Sequence, residues 1–257
     1  MSKKMTKPSV SLIGNGKMAL AIAQGLKGVY TIEVIGRNPE NLDKFEKALG
    51  TTIQKTPLDD AMCEGKTIIL CVKPANLMEV SQKVHGRAKA LYSVLAGTSL
   101  ESLHLLEAEG YVRTMPNLAA EVGLSMTSLT GDSALRNEAI ALFGSIGMTV
   151  WLESEKELDI ATALSGSGPA YLALIAEALS DGAVREGLKR SDAMSLMRGL
   201  FKGFGELIQT THPALLKDGV MSPGGTTAAG YGALELSGVR HGCMEAIRCA
   251  HEKAKKM

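Results

Sequence analysis

Along the first half of the chain, short apolar runs alternate with stretches in which apolar residues recur every three or four positions. Ser9–Ile13 (SVSLI) is apolar and β-branched and ends at a glycine, and Ala19, Ile22, Ala23 and Leu26 then follow at helical spacing. Thr31–Ile35 reads as a second strand and Asn38–Leu49 as the helix after it. Thr67–Val72 (TIILCV) is continuously apolar, the pattern of a strand buried on both faces of a parallel sheet. Leu91–Ala96 and Tyr111–Met115 repeat the theme, with helical segments near Asn76–Val84 and Ser99–Ala108. Strand–helix units of this size predict an open, doubly wound α/β sheet.

The pattern changes after Trp151. Strand-like runs stop, and residues 155–257 read as helices broken by glycine and proline. The expected division is a doubly wound α/β domain over 1–153 and an all-helical domain over 154–257. In the last helix Cys243, Ala246, Ile247, Ala250 and Ala254 share one face. Small residues such as Ala228, Ala229, Gly230, Gly232 and Ala233 let helices approach closely. In so short a helical domain a second subunit is the expected source of the missing core, which predicts an intertwined homodimer.

Composition acts mainly by exclusion. With 28 basic and 27 acidic residues the formal net charge is +1, so no polyanion-binding surface and no nucleic-acid partner is expected. Cys63, Cys71, Cys243 and Cys249 form no CxxC pair and have no histidine at ligand spacing. They read as free thiols of a reducing cytosol, with no metal site. Apolar stretches such as Ala170–Ala178 are far shorter than the ~20 residues needed to span a bilayer. A soluble, cytoplasmic protein without a membrane partner is expected.

The first strand ends at Gly14-Asn15-Gly16-Lys17-Met18-Ala19, which has the form GxGxxA and opens the first helix. Gly14 allows the tight turn, Gly16 lets backbone approach a pyrophosphate, and Ala19 is small enough for the helix to pack on the strand. The N–H groups of the helix start then face the phosphates. At the end of the second strand the chain reads Ile35-Gly36-Arg37-Asn38, where an NAD enzyme usually carries Asp or Glu. Arg37 suits a 2′-phosphate, and the competing Glu33 lies two positions inside the strand. The expected cofactor is NADPH, with NADH as the alternative.

Met221-Ser222-Pro223-Gly224-Gly225-Thr226-Thr227 reads as a helix start, with Ser222 as N-cap and Pro223 in the first turn. Two glycines there are costly unless something approaches the backbone. The N–H groups of Gly224, Gly225 and Thr226 then make a site for a small carboxylate, with hydroxyls from Thr226 and Thr227. The competing reading is a capped helix whose glycines ease packing. A second glycine cluster, Ala163-Leu164-Ser165-Gly166-Ser167-Gly168-Pro169-Ala170-Tyr171, lacks a phosphate-loop lysine; Pro169 can start the following helix, leaving Ser165–Gly168 as a connector, either a structural break or a site. The five histidines are scattered and suggest no triad.

GNGKMA (14–19), VKP (72–74), AG (96–97), RTMPN (113–117), LSGSGPAY (164–171), DGAVREGL (181–188) and SPGGTTAAGYGALE (222–235) stand in order along the chain. Together they resemble the pyrroline-5-carboxylate reductase family over nearly its whole length. The resemblance implies a Rossmann-type domain, an all-helical dimerisation domain, and reduction of 1-pyrroline-5-carboxylate to L-proline by NAD(P)H. It also implies that Val72, Lys73, Pro74, Ala96 and Gly97 lie along the nicotinamide side and that Asn117 lies near the reaction centre. The Ser222–Thr227 loop would hold the carboxylate, and Thr227 would hydrogen-bond the ring nitrogen. Leu58 and Tyr231 depart from the family pattern, which commonly has asparagine and an aliphatic residue there. Two rival readings are a dehydrogenase of the β-hydroxyacid type and a non-catalytic NADPH-binding protein. The first relies on a lysine in a glycine-rich helix, whereas here the GSGPAYLALIAEA helix has none before Lys189.

Overall fold

The computed structural model describes residues 7–255. The chain runs β1 (Ser9–Ile13), α1 (Lys17–Leu26), β2 (Thr31–Gly36), α2 (Pro39–Leu49), β3 (Gln54–Pro57), β4 (Thr67–Leu70), α3 (Leu77–Lys83), β5 (Ala90–Ser93), α4 (Leu100–Leu103) and β6 (Tyr111–Met115). It continues through β7 (Ser125–Gly131), α5 (Arg136–Gly144), β8 (Gly147–Trp151), α6 (Glu155–Ala161), α7 (Gly168–Arg185), α8 (Arg190–Leu207), α9 (Pro213–Val220), α10 (Thr226–Leu236) and α11 (Val239–Ala254). It forms two compact units. One holds the sheet and runs to Ser167, together with the chain end from Ala250, and the other spans Gly168–Cys249.

The eight strands make one sheet in the order β3-β2-β1-β4-β5-β6-β7-β8, parallel except for the antiparallel β6–β7 pair. The apolar runs supply both faces. Leu12, Val34, Ile69, Tyr92 and Val112 pack on one side with α1, α2 and α5, while Ile13, Ile35, Ile68, Leu70 and Leu91 pack on the other with α3 and α4. Ala19, Ile22, Ala23 and Leu26, the face expected of α1, are at most 1% exposed. Helix α2 begins as its sequence dictates: Asn38 Oδ1 accepts from the N–H of Glu40 at 2.8 Å, and Pro39 takes the first turn.

Glu33 is buried in β2 rather than presented at its end. The register sets it between Ser11 and Gln54. Its Oε2 accepts from Ser11 Oγ (2.5 Å) and Lys66 Nζ (2.7 Å), and its Oε1 from Thr56 Oγ1 (2.7 Å) and Gln54 Nε2 (3.1 Å). Burial alone would push this carboxyl up, but the Lys66 ammonium and the Ser11 and Thr56 hydroxyls outweigh it and hold Glu33 below its ordinary value of 4.5. A carboxyl depressed by folding adds stability that is fully present above its unfolded value and is lost as pH falls through the folded one. The unfolding midpoint is therefore expected to drop below pH 4.5, and Glu33→Gln to flatten that drop in thermal scans across the acid range.

The second unit is helical throughout, but a single copy gives it little core. Of the side chains on α7–α11, only Ser180 and Ala193 are buried. Leu172, Leu174, Leu196, Leu200, Phe204 and Leu236 are exposed. The expected connector at Ser165–Gly168 is instead helical. A π-turn over Thr162–Gly166 joins α6 to α7 and makes a continuous helical run, Glu155–Arg185. Of the described helices, this is the one long and apolar enough to cross a membrane by length and composition alone.

Candidate active site

In the strand order, β1 has β2 on one side and β4 on the other, so the chain leaves these neighbouring strands in opposite directions. A crevice at the carboxyl ends of the strands follows from that topology. A cleft of about 370 Å³ opens there, lined by Gly14, Asn15, Gly16, Arg37, Val72 and Lys73, with Leu58, Cys71, Asn76 and Glu79.

The two glycines of the turn do different work. Gly14 has φ +113°, donates its N–H to Ile35 O at 2.9 Å, and would place a Cβ 2.6 Å from Cys71 O. No side chain fits between β1 and the end of β4. A Cβ on Gly16 would meet no atom within 4 Å. Packing within the chain therefore does not require glycine at this position. Gly16 is the N-cap of α1, no side chain caps it, and the first turn carries no acid. The positive end of α1 is open and uncovered, which suits an anionic group. Ala19 is fully buried against the sheet. These features fit a dinucleotide pyrophosphate.

Arg37 is the first residue after β2, and its Nη1 lies 3.1 Å from Glu79 Oε2. Asn38 lies beside it with its side chain used in capping α2. Lys17 is exposed on the first turn of α1, and Met18 packs against the core. Val72 and Lys73 follow β4, and Pro74 opens a short 3₁₀ turn, Pro74–Asn76. Ala96 and Gly97 follow β5, where Gly97 has φ +67°. They lie at the same edge of the parallel sheet but do not line this cleft. Cys71 is half-buried in the cleft wall and desolvation pushes its thiol far up, so it is no nucleophile. All four cysteines are free. Among the described residues no cluster of His, Cys, Asp and Glu is arranged to hold a metal.

Asn117 follows β6 and is held at three points. Its N–H donates to Ser125 Oγ (3.1 Å), its Oδ1 accepts from Ala119 N (3.1 Å), and its Nδ2 donates to Ser165 O (3.1 Å) in the π-turn. The SGSG stretch is thus tied by side chain to the end of a central strand. A salt-linked group lies just upstream. Arg113, 5% exposed, reaches Glu155 Oε1 at 2.8 Å and Asp159 Oδ1 at 2.9 Å. Arg113, Glu79 and Asn76 escaped the sequence reading as site-shaping residues.

In the second unit the Ser222–Thr227 segment corrects one expectation. Ser222 does not cap the helix. Gly224 has φ +70° and Gly225 N–H donates to Ser222 O at 3.0 Å, as in a type II turn with Pro223 and Gly224 at its centre. Helix α10 therefore starts three residues later, with Gly225 as N-cap and no side-chain cap. The uncovered N–H groups of the helix start are those of Thr226, Thr227 and Ala228, while the Gly225 N–H is taken by Ser222 O. Both threonines are exposed on this first turn. The departing residue Tyr231 sits one turn on, with its hydroxyl against Glu235 and Arg240 and Lys217 over its ring at 5.4 Å.

Comparison with known proteins gives the geometry a family. The family model described as NADP oxidoreductase coenzyme F420-dependent matches residues 9–97, and that of pyrroline-5-carboxylate reductase dimerisation matches residues 155–257. A pyrroline-5-carboxylate reductase of Helicobacter pylori strain J99 is 34% identical, covering 96% of this chain and 98% of its own. The 1-pyrroline-5-carboxylate reductase structure from Streptococcus pyogenes superposes with a TM-score of 0.85 at 30% identity, covering 97% of this chain and 98% of its own. That of Plasmodium falciparum pyrroline carboxylate reductase, which has NADP bound, gives a TM-score of 0.79 at 27% identity, covering 99% of each chain. With end-to-end likeness of this extent in both sequence and fold, the chain belongs to the pyrroline-5-carboxylate reductase family.

Proposed function

We propose that this protein is a cytoplasmic, homo-oligomeric reductase, at least a dimer, that converts 1-pyrroline-5-carboxylate to L-proline with NADPH as the preferred cofactor. One observation carries the reading. The glycine turn that leaves α1 uncovered sits at the switch point of the sheet, in a chain that matches the reductases from end to end. The oligomer reading draws on the apolar side chains left exposed on α7–α11 and on the dimerisation match at 155–257. Those side chains account for the apolar character of the Glu155–Arg185 run without a membrane.

When bound, the reduced nicotinamide supplies a hydride to the imine carbon. Gly14, Asn15, Gly16, Lys17 and Met18 form the turn and helix start that receive the pyrophosphate. Arg37, beside Asn38, meets the 2′-phosphate, and Val72, Lys73, Pro74, Ala96 and Gly97 border the nicotinamide. The substrate carboxylate lies at the start of α10, where the turn from Ser222 through Gly224 and Gly225 leaves N–H groups uncovered at the positive helix end. Thr226 adds a hydroxyl, and the Thr227 hydroxyl holds the proton at the ring nitrogen as that nitrogen becomes an amine. Asn117, fixed at the end of β6, keeps the π-turn in place beside the reaction centre.

Oxidation of NADPH that depends on pyrroline-5-carboxylate and yields proline is the outcome expected of the purified protein. Folded protein that binds NADPH but turns over no imine would overturn the reading in favour of a binding role. Arg37→Ala is expected to weaken NADPH by about ten- to a hundredfold, the worth of a charge-assisted contact, and NADH far less. Titration of cofactor fluorescence checks this, and equal losses for both cofactors would make Arg37 a bystander.

A further inference from the structure

The rim of the cleft carries its own counter-charge to Arg37. Glu79, on α3, lines the same cleft and sits 3.1 Å from Arg37 Nη1, with side-chain exposures of 60% for Arg37 and 39% for Glu79. Its other oxygen faces Lys83 at 3.8 Å, and Lys83 in turn bonds Asp59 at 2.9 Å. The rim therefore alternates in sign from Arg37 through Glu79 and Lys83 to Asp59 and is neutral as a whole. A doubly charged phosphate arriving at Arg37 meets a guanidinium whose Nη1 is already paired, and it has to compete with, and stand near, that carboxylate. A cofactor with a free 2′-hydroxyl brings no charge that competes for the guanidinium, so the pair stays closed around it.

We infer that Glu79 is a specificity-determining residue, which holds Arg37 in an internal ion pair and so moderates the preference for a 2′-phosphorylated nicotinamide cofactor. This role rests on the assignment of Arg37 to the 2′-phosphate. An exposed pair is worth at most about fivefold in an equilibrium constant, which sets the scale of the effect. Glu79 thus tunes the NADPH/NADH ratio, while Arg37 creates it. The sequence motif alone, with arginine at the end of β2, would overstate that ratio.

The test is a double-substitution cycle read by fluorescence titration of NADPH and NADH at one ionic strength. The proteins compared are wild type, Glu79→Gln, Arg37→Ala and the two together. Glu79→Gln is expected to tighten NADPH about three- to fivefold and to leave NADH within about twofold. In the Arg37→Ala background the same substitution is expected to change NADPH by less than about twofold, since the pair it opens no longer exists. A NADPH/NADH ratio unmoved by Glu79→Gln, or an equal gain with and without Arg37, would overturn the role of Glu79. If Arg37→Ala by itself weakens both cofactors alike, the 2′-phosphate assignment falls and the role of Glu79 falls with it. If Arg37→Ala selectively weakens NADPH while Glu79→Gln is silent, the assignment stands and only the role of Glu79 is lost.

Discussion

Thr227→Ala is expected to lower kcat for imine reduction by about 10²–10³-fold, the usual cost of one proton-holding or hydrogen-bonding group at a reacting centre, with NADPH binding unchanged. The asymmetry follows from position. Thr227 stands on the first turn of α10 in the second unit, while the cleft proposed for the cofactor is built from the ends of β1, β2 and β4. A ring nitrogen that gains negative character or a proton needs one donor or acceptor held in place, and Ala keeps the helix while removing the hydroxyl. Thr227→Ser keeps the hydroxyl and is expected to recover most of the rate. Steady-state turnover paired with a cofactor titration separates the two effects. A rate within about threefold of wild type would take Thr227 out of the proton step.

The second large effect concerns stability. Arg113→Met is expected to cost about 3 kcal/mol, because it strands Glu155 and Asp159 beside a vacated cationic site. Arg113 is 5% exposed, whereas Glu155 and Asp159 keep 35% and 22% of their side-chain exposure. That residual hydration sets the loss at the lower end of the range for breaking a buried pair. Glu155 Oε1 also accepts from Leu100 N at 2.8 Å, so the same carboxylate holds the start of α4. Adding Glu155→Gln and Asp159→Asn to Arg113→Met removes the uncompensated charges and is expected to restore part of the loss. Urea midpoints at fixed protein concentration measure both, since oligomer assembly contributes to the apparent stability. A loss below about 0.5 kcal/mol for Arg113→Met would mean the carboxylates are solvated well enough without it.

Much of the first unit could be read directly from the residues. Strands β1, β2 and β6 and helix α2 fall where the apolar runs and caps put them. In the GNGKMA turn two positions have local mechanical duties that the residues announce, Gly14, where a Cβ would collide with Cys71 O, and Ala19, buried against the sheet. Two of the missed strands, β3 and β7, lack such an apolar run. β3 is a four-residue edge strand, QKTP, largely exposed. β7 buries Ser125, Thr127, Ser128 and Thr130, so its polar sequence hides an interior strand whose hydroxyls pair with each other and with Asn117.

Around the site, what was hidden is either long-range or a contest between local rules. Glu79 meets Arg37 across 42 residues of sequence, a pairing that only the folding of α3 beside the end of β2 creates. At Ser222-Pro223-Gly224-Gly225, the capping preference of serine competes with the turn preference of Pro-Gly, and the turn wins because Gly224 can take positive φ. At 162–168 the small residues do not break the chain. They permit a π-turn that keeps the helix continuous and offers the Ser165 carbonyl to Asn117.

The most direct measurement is the fate of a labelled hydride. Pyrroline-5-carboxylate incubated with the protein and NADPH deuterated at both C4 positions should give proline carrying a single deuterium at the ring carbon of the former imine, as read by mass spectrometry and NMR. Proline without deuterium, or consumption of NADPH with no deuterated amine product, would contradict hydride transfer to the imine and with it the assignment of this protein as a pyrroline-5-carboxylate reductase.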